Sequence, residues 1–88
     1  MPRRRMKHRG TKTKFRHVYK DTKTTYVIYG WIGGRYILLL AAIVDIVEAA
    51  LIYDSFAREN PDNDELNFSV DEIPEDYSYL KPIEYKFT

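Results

Sequence analysis

Apolar positions in this chain gather in one stretch. Residues 24–56, "TTYVIYGWIGGRYILLLAAIVDIVEAALIYDSF", hold thirteen Leu, Ile or Val between Val27 and Ile52. From Ile37 to Val47 the stretch is apolar nearly all round a helix, Asp45 apart, so it lacks the broad polar face of a helix lying on a water-exposed surface. A long apolar run of this kind predicts a transmembrane helix. Residues 29–53 number 25, about 37 Å as a helix, enough for a hydrocarbon core of about 30 Å. Tyr26, Tyr29, Trp31 and Tyr36 cluster at one end and Tyr53 and Phe56 at the other, in the manner of interfacial aromatic belts.

Two carboxylates, Asp45 and Glu48, interrupt that run. Thirteen branched aliphatics contribute about −4 to −8 kcal/mol to insertion, whereas one central Asp costs about +2.5 to +3.5 kcal/mol. Glu48 and Arg35 add to the cost, and snorkelling from off-centre positions reduces it. The balance is marginal, and a marginal span needs a protein partner. On a helical projection Gly30, Gly34, Ile37, Ala41, Asp45, Glu48, Ile52 and Ser55 share one stripe, which predicts a helix-packing interface made by Gly30, Gly34, Ala41, Asp45, Glu48 and Ser55. Three roles compete for the two acids: contact with neighbouring helices, lining of a water-filled cavity, and a proton or ion path. Contact with neighbouring helices is the expectation, because a single span supplies too few groups for a path. Gly30 and Gly34 form a GxxxG spacing, yet "GWIGGR" equally fits a loop or kink before the helix, and it lacks the Lys-Ser/Thr of a phosphate loop.

Charge divides the rest of the chain. The net charge is +1, but residues 1–25 carry ten Lys or Arg against Asp21, about +9, and residues 54–88 carry ten acids against Arg58, Lys81 and Lys86, about −7. The predicted organisation is a basic arm at 1–23, a transmembrane helix at 24–56 and an acidic tail rich in Tyr and Pro at 57–88. The fold class expected is an all-α membrane protein, one transmembrane helix between an extended basic N-terminal arm and an extended acidic C-terminal tail. The positive-inside rule puts the N-terminus on the matrix-like side. Arg3, Arg4, Arg5, Lys7 and Arg9 are then topology determinants and contacts for anionic lipid such as cardiolipin.

In the tail, Pro61, Pro74 and Pro82 preclude a long helix. Tyr77, Tyr79, Leu80, Ile83, Tyr85 and Phe87 are too apolar for a free end, and Ile83, Tyr85 and Phe87 alternate with Glu84 and Lys86 as in a strand with one buried face. These six are the predicted tail-docking residues, laid along a partner subunit.

Candidate chemistry is sparse. The chain has 88 residues, no cysteine, and histidine only at 8 and 17, with no catalytic or metal-ligand spacing. An enzyme is not expected, and no residue set implies a metal or cofactor.

The basic arm in "RRRMKHRGTKTKFR", the lone apolar stretch opened by "YVIYGW" and the tail "DEIPEDYSYLKPIEYKF" resemble, in architecture, small single-span accessory subunits of mitochondrial inner-membrane respiratory complexes. That resemblance implies a non-catalytic role in assembly and stability, with other subunits as partners; for the basic arm, topology and lipid contact outweigh nucleic acid, and the positive-inside rule puts the C-terminus in the intermembrane space. Two further hypotheses come from other classes. One is a nucleic-acid-binding protein whose arm binds RNA and whose residues 36–58 dimerise as a helix. The other is a self-associating single-span peptide that conducts ions or regulates a partner.

Overall fold

The computed structural model of the protein describes residues 9–82. It holds a four-stranded antiparallel sheet in the order β1-β2-β3-β4, formed by Thr11–Lys12, Val18–Lys20, Tyr26–Ile32 and Arg35–Ile43. One helix, α1 (Ile46–Glu59), packs on one face, and two short 3₁₀ segments follow at Val70–Glu72 and Glu75–Leu80. The predicted transmembrane stretch is thereby divided into strand, turn, strand and helix. Among the described residues no helix is long and apolar enough to cross a membrane. The all-α single-span fold is overturned. With it fall the likeness to respiratory accessory subunits, the inner-membrane location with its matrix-side N-terminus, and the subunit and cardiolipin partners that required a span.

Three local signals divide the stretch. Ile32 pairs with Arg35, leaving Gly33 and Gly34 as a two-residue loop with φ of +56° and +80°. Positive φ at both loop residues is the mirror-type turn whose twist matches paired strands, and glycine adopts it without a Cβ clash. Ala42, at φ +60°, marks a second irregularity near the end of β4, a strand whose register against β3 also shifts. Asp45 then caps α1: its Oδ1 accepts the Val47 and Glu48 amides at 2.9 and 3.3 Å. Asp followed three residues later by Glu is a helix-start signature. The two acids in the apolar run therefore begin a helix rather than interrupt one. At the other end Asn60 donates its side chain to the Phe56 carbonyl, and Pro61 prevents continuation.

Alternation of side chains then builds two layers. Val18, Ile28 and Ile43 face Ala49, Ala50, Tyr53 and Ala57 of α1, with Phe15, Leu39, Phe56 and Phe68 around them. Tyr19, Val27 and Tyr29 make a second cluster on the opposite face with Tyr36 and Ala41. β3 is central, so Val27 and Ile28 are both buried, on opposite faces. Each side chain so buried contributes about 1.5 to 3 kcal/mol, whichever apolar environment receives it. Apolar content alone does not distinguish lipid from a second layer of protein. Gly30 lies under the helix, where an added Cβ would come within 2.5 Å of the Phe56 ring.

After α1 the chain returns across the sheet's end and along the helix. Asp54, fully buried, accepts from the amides of Asn67 and Phe68, both at 2.8 Å. Its burial raises its pKa above the usual carboxylate value, against the opposing effect of those amides. Asn63 acts as a single-residue partner of strand β3, and Asn67 does the same for the β1–β2 connection. The first bonds both the N–H and C=O of Trp31, the second both those of Arg16. Tyr77 and Tyr79 donate to Asp45 and Glu48, and the Leu80 carbonyl accepts from Ser55. The tail thus docks on the chain's own helix.

Candidate nucleic-acid interface

Residues 12–20, "KTKFRHVYK", place cations at 12, 14, 16 and 20 and aromatic rings at 15, 17 and 19. In the sequence this is a two-residue period; in the fold Thr11–Lys12 and Val18–Lys20 pair as the β1–β2 hairpin at the outer edge of the sheet, and residues 13–17 are its connection. Thr13 shapes the connection: its hydroxyl donates to the Val18 carbonyl at 2.8 Å and accepts from the Phe15 amide at 3.2 Å. His17, at φ +67°, then turns the chain into β2.

The aromatic positions anchor this hairpin. Phe15 packs on Phe68 with centroids 5.5 Å apart, and His17 stacks on Tyr53 at 4.6 Å. The Tyr36 hydroxyl lies 2.7 Å from His17 Nδ1 and 2.8 Å from the Tyr19 hydroxyl, linking β2 to β4 over the intervening strand. Burial lowers the His17 pKa, so the ring is neutral in this network. Burial and the Tyr19 hydrogen bond raise that of Tyr36. Burial and the Asp54 charge push that of Tyr53 up to about 12.

The cationic positions are exposed. Arg9 forms a two-point pair with Asp21, at 2.9 and 3.2 Å, and Arg16 pairs with Glu65 at 3.2 Å. Lys12, Lys14, Lys20 and Lys23 are exposed and meet no carboxylate among the described residues. Lys14 Nζ sits 5.3 Å from the centre of the Phe15 ring. A cleft of about 290 Å³ runs along Lys12–Tyr19. Among the described residues no group of three or more His, Asp or Glu is placed to hold a metal. The arrangement can bind anions through the exposed ammonium groups of the ribbon.

The predicted site residues scatter. Of the expected helical stripe, Asp45, Glu48 and Ser55 do share a flank of α1, where they receive Tyr77, Tyr79 and Leu80. Gly30 lies in β3, Gly34 in the turn and Ala41 in β4, so they form no stripe with the acids. Arg9 ties to Asp21 and, through its amide, to the Tyr29 hydroxyl at 2.9 Å. Arg3, Arg4, Arg5 and Lys7, and Ile83, Tyr85 and Phe87, lie outside the described residues. Sequence reasoning merges Lys12, Lys14, Lys20 and Lys23 into a uniform basic arm. The alternation of Lys12, Lys14 and Lys20 with aromatics is the signal that could have singled out those three. No known protein family, curated protein or solved structure matches the chain.

Proposed function

We propose that this chain is a nucleic-acid-binding module whose β1–β2 ribbon engages the phosphate backbone. The observation that carries the reading is the set of four exposed lysines, Lys12, Lys14, Lys20 and Lys23, that meet no carboxylate among the described residues and lie on or beside a hairpin anchored by buried Val18 and Tyr19. A two-stranded ribbon fits the major groove, and exposed ammonium groups displace condensed counterions from phosphates. The remaining basic residues of 1–25 bring that region to about +9, a field that steers a polyanion toward this edge. A nucleic-acid-binding form with residues 36–58 as a dimerising helix is incompatible with the fold, because Arg35–Ile43 is a strand and α1 is occupied by the sheet and tail.

Fluorescence anisotropy with labelled duplex DNA and single-stranded RNA over a salt series tests this. Log K should fall linearly with log salt, and replacing all four lysines with Ser should reduce the slope by about 3 to 4, at about 0.9 for each duplex phosphate left unneutralised. No binding, or a slope unchanged in that variant, would remove the reading. Preference for anionic vesicles over either nucleic acid would replace it with a lipid-binding one.

A further inference from the structure

The other edge of the sheet is unlike the first. β4 runs nine residues, Arg35–Ile43, and pairs only with β3 among the described strands, leaving an outer row of N–H and C=O groups. Of seven exposed large apolar residues among those described, five lie on this strand or beside it: Ile32, Ile37, Leu38, Leu40 and Val44, from 38% to 73% exposed. Such clustering, unlike scattered apolar exposure, marks a contact surface. Long strands at an edge usually carry lysine, proline or inward charge that blocks pairing. Residues 36–44 carry none of these; the protection of that kind on β4 is the kink at Ala42 and two register shifts against β3, on either side of the Ile28–Leu40 pair.

We propose that β4 pairs antiparallel with β4 of a second copy, giving a symmetric dimer. Charge selects both this occupant and its direction. Arg35 opens the strand and Asp45 follows its end, and Arg35 has no ion-pair partner among the described residues. Antiparallel pairing lays each copy's Arg35 end beside the other's Asp45 end, whereas parallel pairing would set like beside like. Centring the antiparallel pair near Leu39 brings the Arg35 end of each copy toward the Asp45 end of the other, with the two register shifts of β4 bending the strand between them. Hydrogen bonding to Tyr77 favours the ionised form of Asp45, so the negative end is present at neutral pH. The apolar side chains on both faces of β4 then cover their equivalents, and the two-fold axis stands perpendicular to the sheet. Both helices lie on one side, and the two basic hairpins occupy the far edges of one continuous sheet. The dimer does not depend on the nucleic-acid reading.

Sedimentation equilibrium of the full chain without nucleic acid, across the micromolar range, tests it. The expected result is a monomer–dimer equilibrium. Leu38→Lys and Leu40→Lys, at positions already about two-fifths exposed, should each raise the dimer Kd by about tenfold to a hundredfold. Arg35→Glu, which alters no core contact, should weaken the dimer about tenfold by aligning like charges, and Lys12→Glu on the far edge should leave it unchanged. A monomer at every concentration, open-ended association, or a dimer indifferent to Arg35→Glu and to the β4 lysines would each overturn the proposal. Loss of nucleic-acid binding with the dimer intact would count against the ribbon alone.

Discussion

The two edges of this sheet solve the same problem in opposite ways. β1 and β2 are two and three residues long, and their hairpin faces solvent with Lys12, Lys14 and Lys20, so no further strand pairs there without burying charge. Polar tethers hold this short edge: Asn67 on Arg16, Thr13 on Val18, and the His17–Tyr36–Tyr19 chain. β4 shares the last of these tethers through Tyr36, keeps the register set by the glycine turn as far as the Tyr29–Leu38 pair, and sends Leu39 and Ile43 to the core. It consequently offers its apolar exterior and free backbone to whatever can complement them. Exposed lysines mark one edge, and exposed apolar side chains mark the other.

Asp54→Ala should separate the edges most strongly. It leaves the Asn67 and Phe68 amides without an acceptor and frees Asn67 from its place beside Arg16, at a cost of about 3 to 5 kcal/mol in urea unfolding. Amide shifts should concentrate around Arg16 and Phe68, with β4 little changed. Equal disturbance of both edges would show that the tether is not local.

The apolar edge should respond instead to packing. Gly30→Ala drives a Cβ against the Phe56 ring and Leu39, so a loss of about 1 to 3 kcal/mol is expected, with amide exchange accelerated along β3 and β4. Tolerance without loss would mean that the helix sits less tightly over this edge than the packing implies.

Asp45→Ala should cost about 0.5 to 2 kcal/mol, the range for loss of an N-cap, and should release Tyr77 from the first turn of α1. The Tyr77 hydrogen bond holds the Asp45 carboxyl below its ordinary value of 3.8. The unfolded chain therefore binds the proton more readily, and this contribution is present above 3.8 and lost as pH falls through the lower folded value. The Ala variant should show less of that acid loss.

His17 gives the smallest effect, confined to the basic edge. Its folded pKa lies below 6.5 because burial disfavours the imidazolium. Between the folded value and 6.5 the unfolded chain holds more protons, so stability is full above 6.5 and declines as pH falls through that window. Unfolding midpoints should drift down there in the wild type and stay level in His17→Gln. A drift retained in His17→Gln would assign it elsewhere.

Much of the fold is legible in the chain as punctuation that also reads as interruption. Gly33-Gly34 between apolar runs is a hairpin signal, but the same residues beside Gly30 also fit a helix-packing motif. Asp45 and Glu48 mark a helix start, yet within a spanning helix the same pair reads as buried ions. Short apolar runs have no period that separates strand from helix, and a continuous run hides the boundaries further. In the candidate site, the Lys and aromatic alternation of residues 12–20 is readable. The partners that hold β3 and the β1–β2 connection, Asn63 and Asn67, are not, since a single side-chain amide bonding both backbone groups of a distant residue has no sequence signature.

Local chemistry by itself determined where the chain turns, where its helix starts and stops, and that positive and negative charge lie at opposite ends, because these depend on φ, on orphan amides and on counting residues. Only the tertiary structure decided which apolar side chains are buried and which face out: Val27 and Leu51 are fully covered, while Leu38 and Leu40 are not. Hydrophobic burial has no direction of its own and depends on area removed from water, so it acquires a location only when distant segments meet. The same meeting of segments placed one carboxylate, Asp54, inside the protein and left Lys12, Lys14, Lys20 and Lys23 facing solvent.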